Sequence, residues 1–236
     1  MCEAIILAGG LGKRLRTVIS NKPKVMAPIG EYPFIQYLLD YPDSLGISKV
    51  VLSVGFLYES IYNYLGNNYG NINIKYSVEE KPLGTGGAIK RSIGLTKTQD
   101  VIVINGDTFT TIDYNKMMKT HKDNGEIITV AIKYEKNRSR YGNILVKNNR
   151  ICEFIEKTKN DGGYINVGSY IINRKIFDQF DLPPHFSFEK EFMQCYINKI
   201  NPMSYLFDGM FIDIGLPQSY ARAKSTLLKI PLRIKN

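Results

Sequence analysis

Residues 4–30 read AIILAGGLGKRLRTVISNKPKVMAPIG. An apolar run enters three glycines, Gly9, Gly10 and Gly12, then meets Lys13, Arg14 and Arg16, and reaches the Pro23-Lys24 pair. Unbroken apolar residues stopping at glycines mark a strand buried on both faces, the kind that parallel sheets contain. The bare backbone that follows offers N–H groups, from Leu7 and Ala8 onward, to cradle anion oxygens at a helix start. A guanidinium inside the loop, Arg14, adds a bidentate contact to the same anion. Pro23 fixes the backbone before Lys24 and so aims that side chain.

Two familiar phosphate loops do not fit. The P-loop pattern GxxxxGK[ST] fails because Gly12-Lys13 is followed by Arg14. GxGxxG fails because Leu15 stands where the third glycine belongs, although Glu31 near the position of a ribose-binding acid keeps a dinucleotide site among the alternatives. Taken alone, the loop also fits a tight turn carrying surface bases.

Working outward, strands are expected at 3–7, 49–54, 72–78 and 101–105, with helices over 32–45, 58–65, 88–95 (opening around 85–87) and 114–122, the last capped by Asp113. Strands alternating with helices imply a mainly parallel sheet covered on both faces. Ligands of such sheets bind beyond the carboxyl ends of the strands. The loops at 8–16, 79–87 and 105–108 therefore gather at one edge. Beyond about residue 126 the connections shorten. IITVAIKY (127–134), GNILVK (142–147), ICEFIE (151–156) and YINVGSYII (164–172) read as strands, with Asn148-Asn149 as a hairpin turn. Helical stretches are expected near 174–180 and 188–198. FIDIG (211–215) is expected to close the sheet before a helix over 218–229. No linker divides the chain, so one domain of residues 1–236 is expected, with a nucleotide-type part of about 1–125 and a β-rich part of about 126–236.

The 236 residues carry 31 Lys and Arg against 22 Asp and Glu, a net charge of +9 that calls for an anionic partner, nucleic acid or phosphorylated small molecule. A nucleic-acid binder would interleave its bases with aromatics along one face; here several of the telling bases sit in loops after strands, and a nucleic-acid partner is not expected. The three cysteines form no CxxC pair, and with two histidines they leave little for zinc or a histidine-based triad. No membrane partner, signal peptide or membrane anchor is expected, and the reading is of a cytoplasmic protein.

LAGGLGKRL at 7–15 with KPK at 22–24 resembles the signature of the sugar-1-phosphate nucleotidyltransferases, usually written GGxGTRL…PK. Later motifs follow in that family's order across essentially the whole chain: EEKPLGTGGAI (79–89), VINGD (103–107), YGNI (141–144), EKT (156–158), INVGSY (165–170) and FIDIGLP (211–217). The resemblance implies an α/β fold with a Rossmann-like, mainly parallel mixed sheet flanked by helices and a smaller sugar-binding β-rich part. It also implies a reaction in which a sugar 1-phosphate oxygen attacks the α-phosphorus of a nucleoside triphosphate and pyrophosphate leaves. It assigns Asp107 and Asp213 to magnesium, Arg14 to the triphosphate, Lys24 to the meeting phosphates, and Lys157 with Glu156 to the sugar phosphate and sugar hydroxyls. Tyr141, Gly142, Asn166 and Gly168 match sugar-contacting positions. Gly84, Gly86 and Gly87 are expected to let the flat base approach the backbone.

Two positions depart from the pattern: Lys13 replaces the usual Thr, and Leu216 replaces the Thr of DIGTP. Where uridylyl and thymidylyl members carry Gln, this chain has Glu79, whose carboxylate can accept the adjacent N1–H and N2–H₂ donors of guanine together. GTP is thus the expected donor. The short chain is most similar to the heptose 1-phosphate guanylyltransferases, whose products feed capsule or lipopolysaccharide synthesis. Mannose 1-phosphate, a uridylyl or thymidylyl donor, and a non-catalytic nucleotide- or sugar-binding relative are the alternatives. A homodimer is the expected assembly.

Overall fold

The computed structural model describes residues 2–10, 12–15, 18–19, 22–137, 141–155 and 162–232. Among them runs a ten-stranded sheet in the order Asn143–Lys147, Arg150–Ile155, Met203–Leu206, Ile128–Glu135, Gly163–Asn173, Asp100–Asn105, Glu3–Leu7, Lys49–Val54, Ile72–Val78 and Asn68–Tyr69. Glu3–Leu7 lies at the centre, parallel to Lys49–Val54 on one side and to Asp100–Asn105 on the other, with Ile5 opposite both Val51 and Val103. The chain builds outward on one side first, then crosses to the other. This reversal opens a crevice at the carboxyl end of Glu3–Leu7, the switch point where such sheets bind ligands.

Both faces of the central strands are buried, which is why they read as continuous apolar runs. Ala4, Ile6, Leu52, Ile102 and Ile104 face a core built with helices Phe34–Ser44, Tyr58–Leu65, Tyr114–Asp123 and Pro217–Leu227. Ile5, Val51, Val101 and Val103 face a second core that includes helix Gly84–Ile93 and the segment Phe188–Gln194. Asp113 caps its helix as expected, its side chain accepting from Lys116 N–H. Gly163–Asn173 then pairs antiparallel with Asp100–Asn105, placing Ser169 opposite Ile104 and carrying Asn166–Gly168 past the end of the central strand. Asn148 and Asn149, at φ 49° and 60°, make the tight hairpin turn that the sequence predicts.

Four elements differ from expectation. Phe211–Asp213 does not close the main sheet. It pairs antiparallel with Thr108–Thr110 in a separate ribbon that sets Asp213 opposite Thr108. Thr108–Thr110 has itself left the main sheet after Gly106-Asp107, so its free edge is the one the later strand meets. The stretch 174–180 is a series of turns closed by bonds such as Ile176 N–H to Asn173 O and Asp178 N–H to Lys175 O, not a helix. The helix foreseen over 188–198 divides into a wide π-turn, Phe188–Gln194, and a short helix, Ile197–Ile200. Its aromatic packing accounts for the break: Phe188 and Phe192 stack at 5.7 Å, and Phe177 meets Phe192 edge-on at 5.0 Å. The first helix starts at Phe34 because Pro33 is held extended, paired with Pro28 in a two-residue strand.

Phe192 is fully buried and touches Phe177, Phe180, Phe186 and Phe188. Phe192→Ala is expected to lower unfolding free energy by about 3–5 kcal/mol, measured by urea denaturation; a loss below about 1 kcal/mol would place this aromatic group outside the cooperative core.

Candidate active site

The glycine loop, residues 79–83 and Gly106-Asp107 leave the carboxyl ends of Glu3–Leu7, Ile72–Val78 and Asp100–Asn105, and backbone bonds tie them to one another and to Lys49–Val54, the strand between the first two. Ala8 N–H donates to Ser53 O (2.7 Å), Glu79 N–H to Val54 O (2.7 Å) and Gly106 N–H to Leu7 O (3.0 Å). They enclose a cleft of about 430 Å³ lined by Leu7, Ala8, Gly9, Gly10, Gly12, Arg14, Lys24, Glu79 and Asp107, among others. Gly12 has φ +56°, and a Cβ there would lie 3.3 Å from Lys24 Cβ, so a glycine lets the loop turn over the lysine stem. Lys24 opens a short helical turn behind Pro23, and its neighbour Val25 is buried as the anchor. The loop glycines, Arg14 and Lys24 therefore share one wall.

Glu79 lines the same cleft, its carboxylate packed against the glycine loop at Gly9. Its Oε1 accepts from Ser53 Oγ at 3.0 Å and its Oε2 from Leu83 N–H at 3.0 Å. A Cβ on Gly9 would approach Oε1 to 2.8 Å, so the bare loop leaves room for this carboxylate. Glu80 beside it is exposed.

Lys24 Nζ donates to Asp107 Oδ2 at 2.6 Å, with the lysine side chain 12% and the aspartate 36% exposed. Asp213 Oδ1 accepts from Gly215 N–H at 2.5 Å. A Cβ on Gly215 would sit 2.6 Å from Asp213 Oδ1 and 3.5 Å from Lys24 Nζ, so the ammonium and the second carboxylate converge on one glycine. The Thr108–Thr110 ribbon brings the two carboxylates together. Their oxygens fit a hard divalent cation. Among the described residues no group of three or more His, Cys, Asp or Glu is placed to hold a metal ion.

A second cleft of about 330 Å³ adjoins the first, and Arg14, Asn105, Asp107 and Gly215 line both. Its walls carry Tyr141, Gly142, Asn166, Gly168, Glu189 and Asp213. Tyr141 is set edge-on to Phe211 at 5.3 Å. Asn166 Oδ1 accepts from Gly168 N–H at 2.9 Å, and Asn166 Nδ2 donates to Tyr170 OH at 2.8 Å. Burial first, then the Glu189 carboxylate, hold the Tyr170 phenol well above its ordinary range, so it carries its proton at neutral pH.

Gly86 and Gly87 are not brought to either cleft: they are buried beneath Phe186 and Pro184, where a Cβ would lie 2.1 Å from the Phe186 ring and 2.3 Å from Pro184 O respectively. Packing of the chain on itself accounts for glycine there. Gly84 remains in the cleft lining with Pro82, Thr85 and Ala88. Glu156, Lys157 and Arg16, and the side chain of Lys13, lie outside the described residues. Asn105 and Glu189 went unrecognised. The first sits inside VINGD and was legible there; the second, in SFEKEF, has the look of an ordinary charged helical face.

A family model for nucleotidyl transferases matches residues 3–230, and the chain belongs to that family. It is 44% identical over 225 residues, 95% of this chain and 98% of the relative, to D-glycero-alpha-D-manno-heptose 1-phosphate guanylyltransferase of Aneurinibacillus thermoaerophilus. It is 42% identical to the enzyme of that name from Campylobacter jejuni, over 92% of this chain and 96% of the relative. The crystal structure of HddC from Yersinia pseudotuberculosis complexed with GMP-PN matches with a TM-score of 0.85 at 32% identity, covering 96% of this chain and 100% of that one.

Gly168 has φ +73°, and a Cβ there would meet Asn105 Nδ2 at 2.4 Å. Gly168→Ala is expected to cost at least about 1–2 kcal/mol from backbone conformation alone, read by chemical denaturation. An unchanged unfolding midpoint would show that the turn at 166–168 tolerates a side chain.

Proposed function

We propose that this member of the nucleotidyl transferase family transfers GMP from GTP to D-glycero-α-D-manno-heptose 1-phosphate, releasing pyrophosphate. The observation that carries the reading is the Lys24–Asp107 pair at the junction of two adjoining clefts, with Asp213 converging on the same point. Two anionic substrates need cationic charge where they meet, and a lysine beside the junction of the clefts supports that reading.

In the proposed reaction an oxygen of the sugar phosphate attacks the α-phosphorus, the bond from that phosphorus to the bridging oxygen breaks, and pyrophosphate leaves with the electron pair. The attacking phosphate is already ionised at neutral pH, so no general base is required. The barrier is then chiefly one of repulsion and alignment. Lys24 sits beside the α-phosphate and the incoming phosphate, while Arg14, which borders both clefts, holds the triphosphate. Asp107 and Asp213 would hold magnesium, which when bound supplies positive charge against the phosphate oxygens. Lys157 and Glu156 are assigned to the sugar phosphate and sugar hydroxyls on family resemblance.

Glu79 is the proposed reader of guanine. Its bonds to Ser53 and Leu83 fix the carboxylate plane, and each oxygen keeps a lone pair for a further donor. The heptose rests on the names of relatives 44% and 42% identical to this chain. All three cysteines are unpaired, which suits a reducing, cytoplasmic setting. No helix among the described residues is long and apolar enough to cross a membrane.

Pyrophosphate release with magnesium tests the reading, crossing the four ribonucleoside triphosphates and dTTP with the 1-phosphates of the heptose, mannose, glucose and N-acetylglucosamine. The expected maximum is GTP with the heptose, and Glu79→Gln should weaken GTP use roughly tenfold, about the worth of one charge-assisted hydrogen bond, while UTP or dTTP gains relatively. A maximum at UTP or dTTP with glucose would contradict the guanine assignment, and silence throughout would favour a non-catalytic relative.

A further inference from the structure

The two clefts are joined by a continuous hydrogen-bond chain that ends on one side chain. From the sugar-side cleft, Gly168 N–H donates to Asn166 Oδ1, Asn166 Nδ2 to Tyr170 OH at 2.8 Å, and Tyr170 OH to Glu189 Oε1 at 3.0 Å. From the other side, Phe188 N–H donates to Thr85 Oγ1 at 2.8 Å, and Thr85 Oγ1 donates to Glu189 Oε2 at 2.9 Å. Ser187 Oγ adds a longer bond to the same oxygen at 3.3 Å. Thr85 lines the nucleotide-side cleft in the first turn of helix Gly84–Ile93, and Asn166 and Gly168 line the other.

Every donor in this chain points toward Glu189. A carboxylate accepts only, and it can take several donors at once. Glutamine has the same shape but places an N–H₂ where one oxygen stood, so one arm loses its charged acceptor and persists only if the Thr85 or Tyr170 hydroxyl reverses to accept. The chain also supports an irregularity in the sheet. Against Ile128–Glu135, Asn166 pairs with Ile132 and Tyr170 with Val130, so four steps on one strand answer two on the other. Asn166 and Tyr170 bracket that bulge, and the bulge presents Gly168 at Asn105.

We infer that Glu189 is a positioning residue that couples the clefts, so that a nucleotide settling against Thr85 tightens the sugar 1-phosphate site at 166–168, and the reverse. The inference rests on the guanylyltransferase reading above. Glu189 also lines the sugar-side cleft, and the coupling runs from it through Thr85 and Tyr170.

The test measures the affinity of the intact protein for D-glycero-α-D-manno-heptose 1-phosphate, by calorimetry with magnesium, with and without saturating GTP whose α,β-bridge is methylene and cannot be cleaved. In the wild type the analogue should tighten sugar-phosphate binding at least about fivefold, the lower end of ordinary coupling between sites. In Glu189→Gln, Tyr170→Phe and Thr85→Val this factor should fall to within about twofold of unity. Steady-state kinetics should show a raised KM for the sugar phosphate at saturating GTP with kcat less affected. Tyr170→Phe keeps the ring that packs edge-on to Phe188, and Glu189→Gln keeps volume, so matching unfolding midpoints separate coupling from general damage. Coupling absent from the wild type, or fully kept in Glu189→Gln and Thr85→Val, overturns the inference. These outcomes are read only if the wild type releases pyrophosphate from GTP and the heptose 1-phosphate; failure at that step instead defeats the functional reading.

Discussion

The short ribbon formed by Thr108–Thr110 and Phe211–Asp213 is the constraint on which the site depends. It carries few bonds, but it joins the segment leaving the central sheet to one near the end of the chain, and it sets Asp213 opposite Thr108, one residue from Asp107. Two carboxylates lining one cleft repel each other, and Lys24, bonded to Asp107 and close to Gly215 beside Asp213, offsets part of that repulsion. Only a partly buried cation can do this efficiently, since solvent screens exposed pairs.

Much of the fold was legible because the central strands are buried on both faces. Runs such as VIVIN and KVVLSV admit one reading, and the glycines and Gly-Asp that end them mark where the chain must turn. The loops after those strands were correctly expected at one edge, because parallel connections leave no other choice. The failures share a cause. The ribbon strand at 211–213 is three residues long, and nothing local says which edge it will pair with. The turns at 174–180 and the π-turn at 188–194 are dictated by a cluster of phenylalanines from 177 to 192, a tertiary demand that helical periodicity does not encode.

The candidate site shows the same division. That Gly9, Gly10, Gly12, Arg14, Asp107 and Glu79 would gather at one cleft could be read from their positions in loops and at strand ends. Gly86 and Gly87 could not. A glycine required by Phe186 and Pro184 looks, in sequence, like one required by a ligand. Glu189 was hidden for the opposite reason: its role is visible only from the directions of hydrogen bonds arriving from Thr85 and Tyr170. The two clefts are thus separate in sequence, shared in their charged floor, and connected through a polar link that neither half of the chain reveals alone.

The central claim is that the Lys24–Asp107–Asp213 group is the point where the two phosphates meet. The most direct measurement is single-substitution kinetics of Asp107→Asn with magnesium at saturating GTP and sugar 1-phosphate, beside an unfolding curve of the same protein. The account predicts a native-like unfolding midpoint with kcat reduced by about 10²–10³, the usual cost of removing one positioned electrostatic group. Turnover close to wild type in that variant would contradict it.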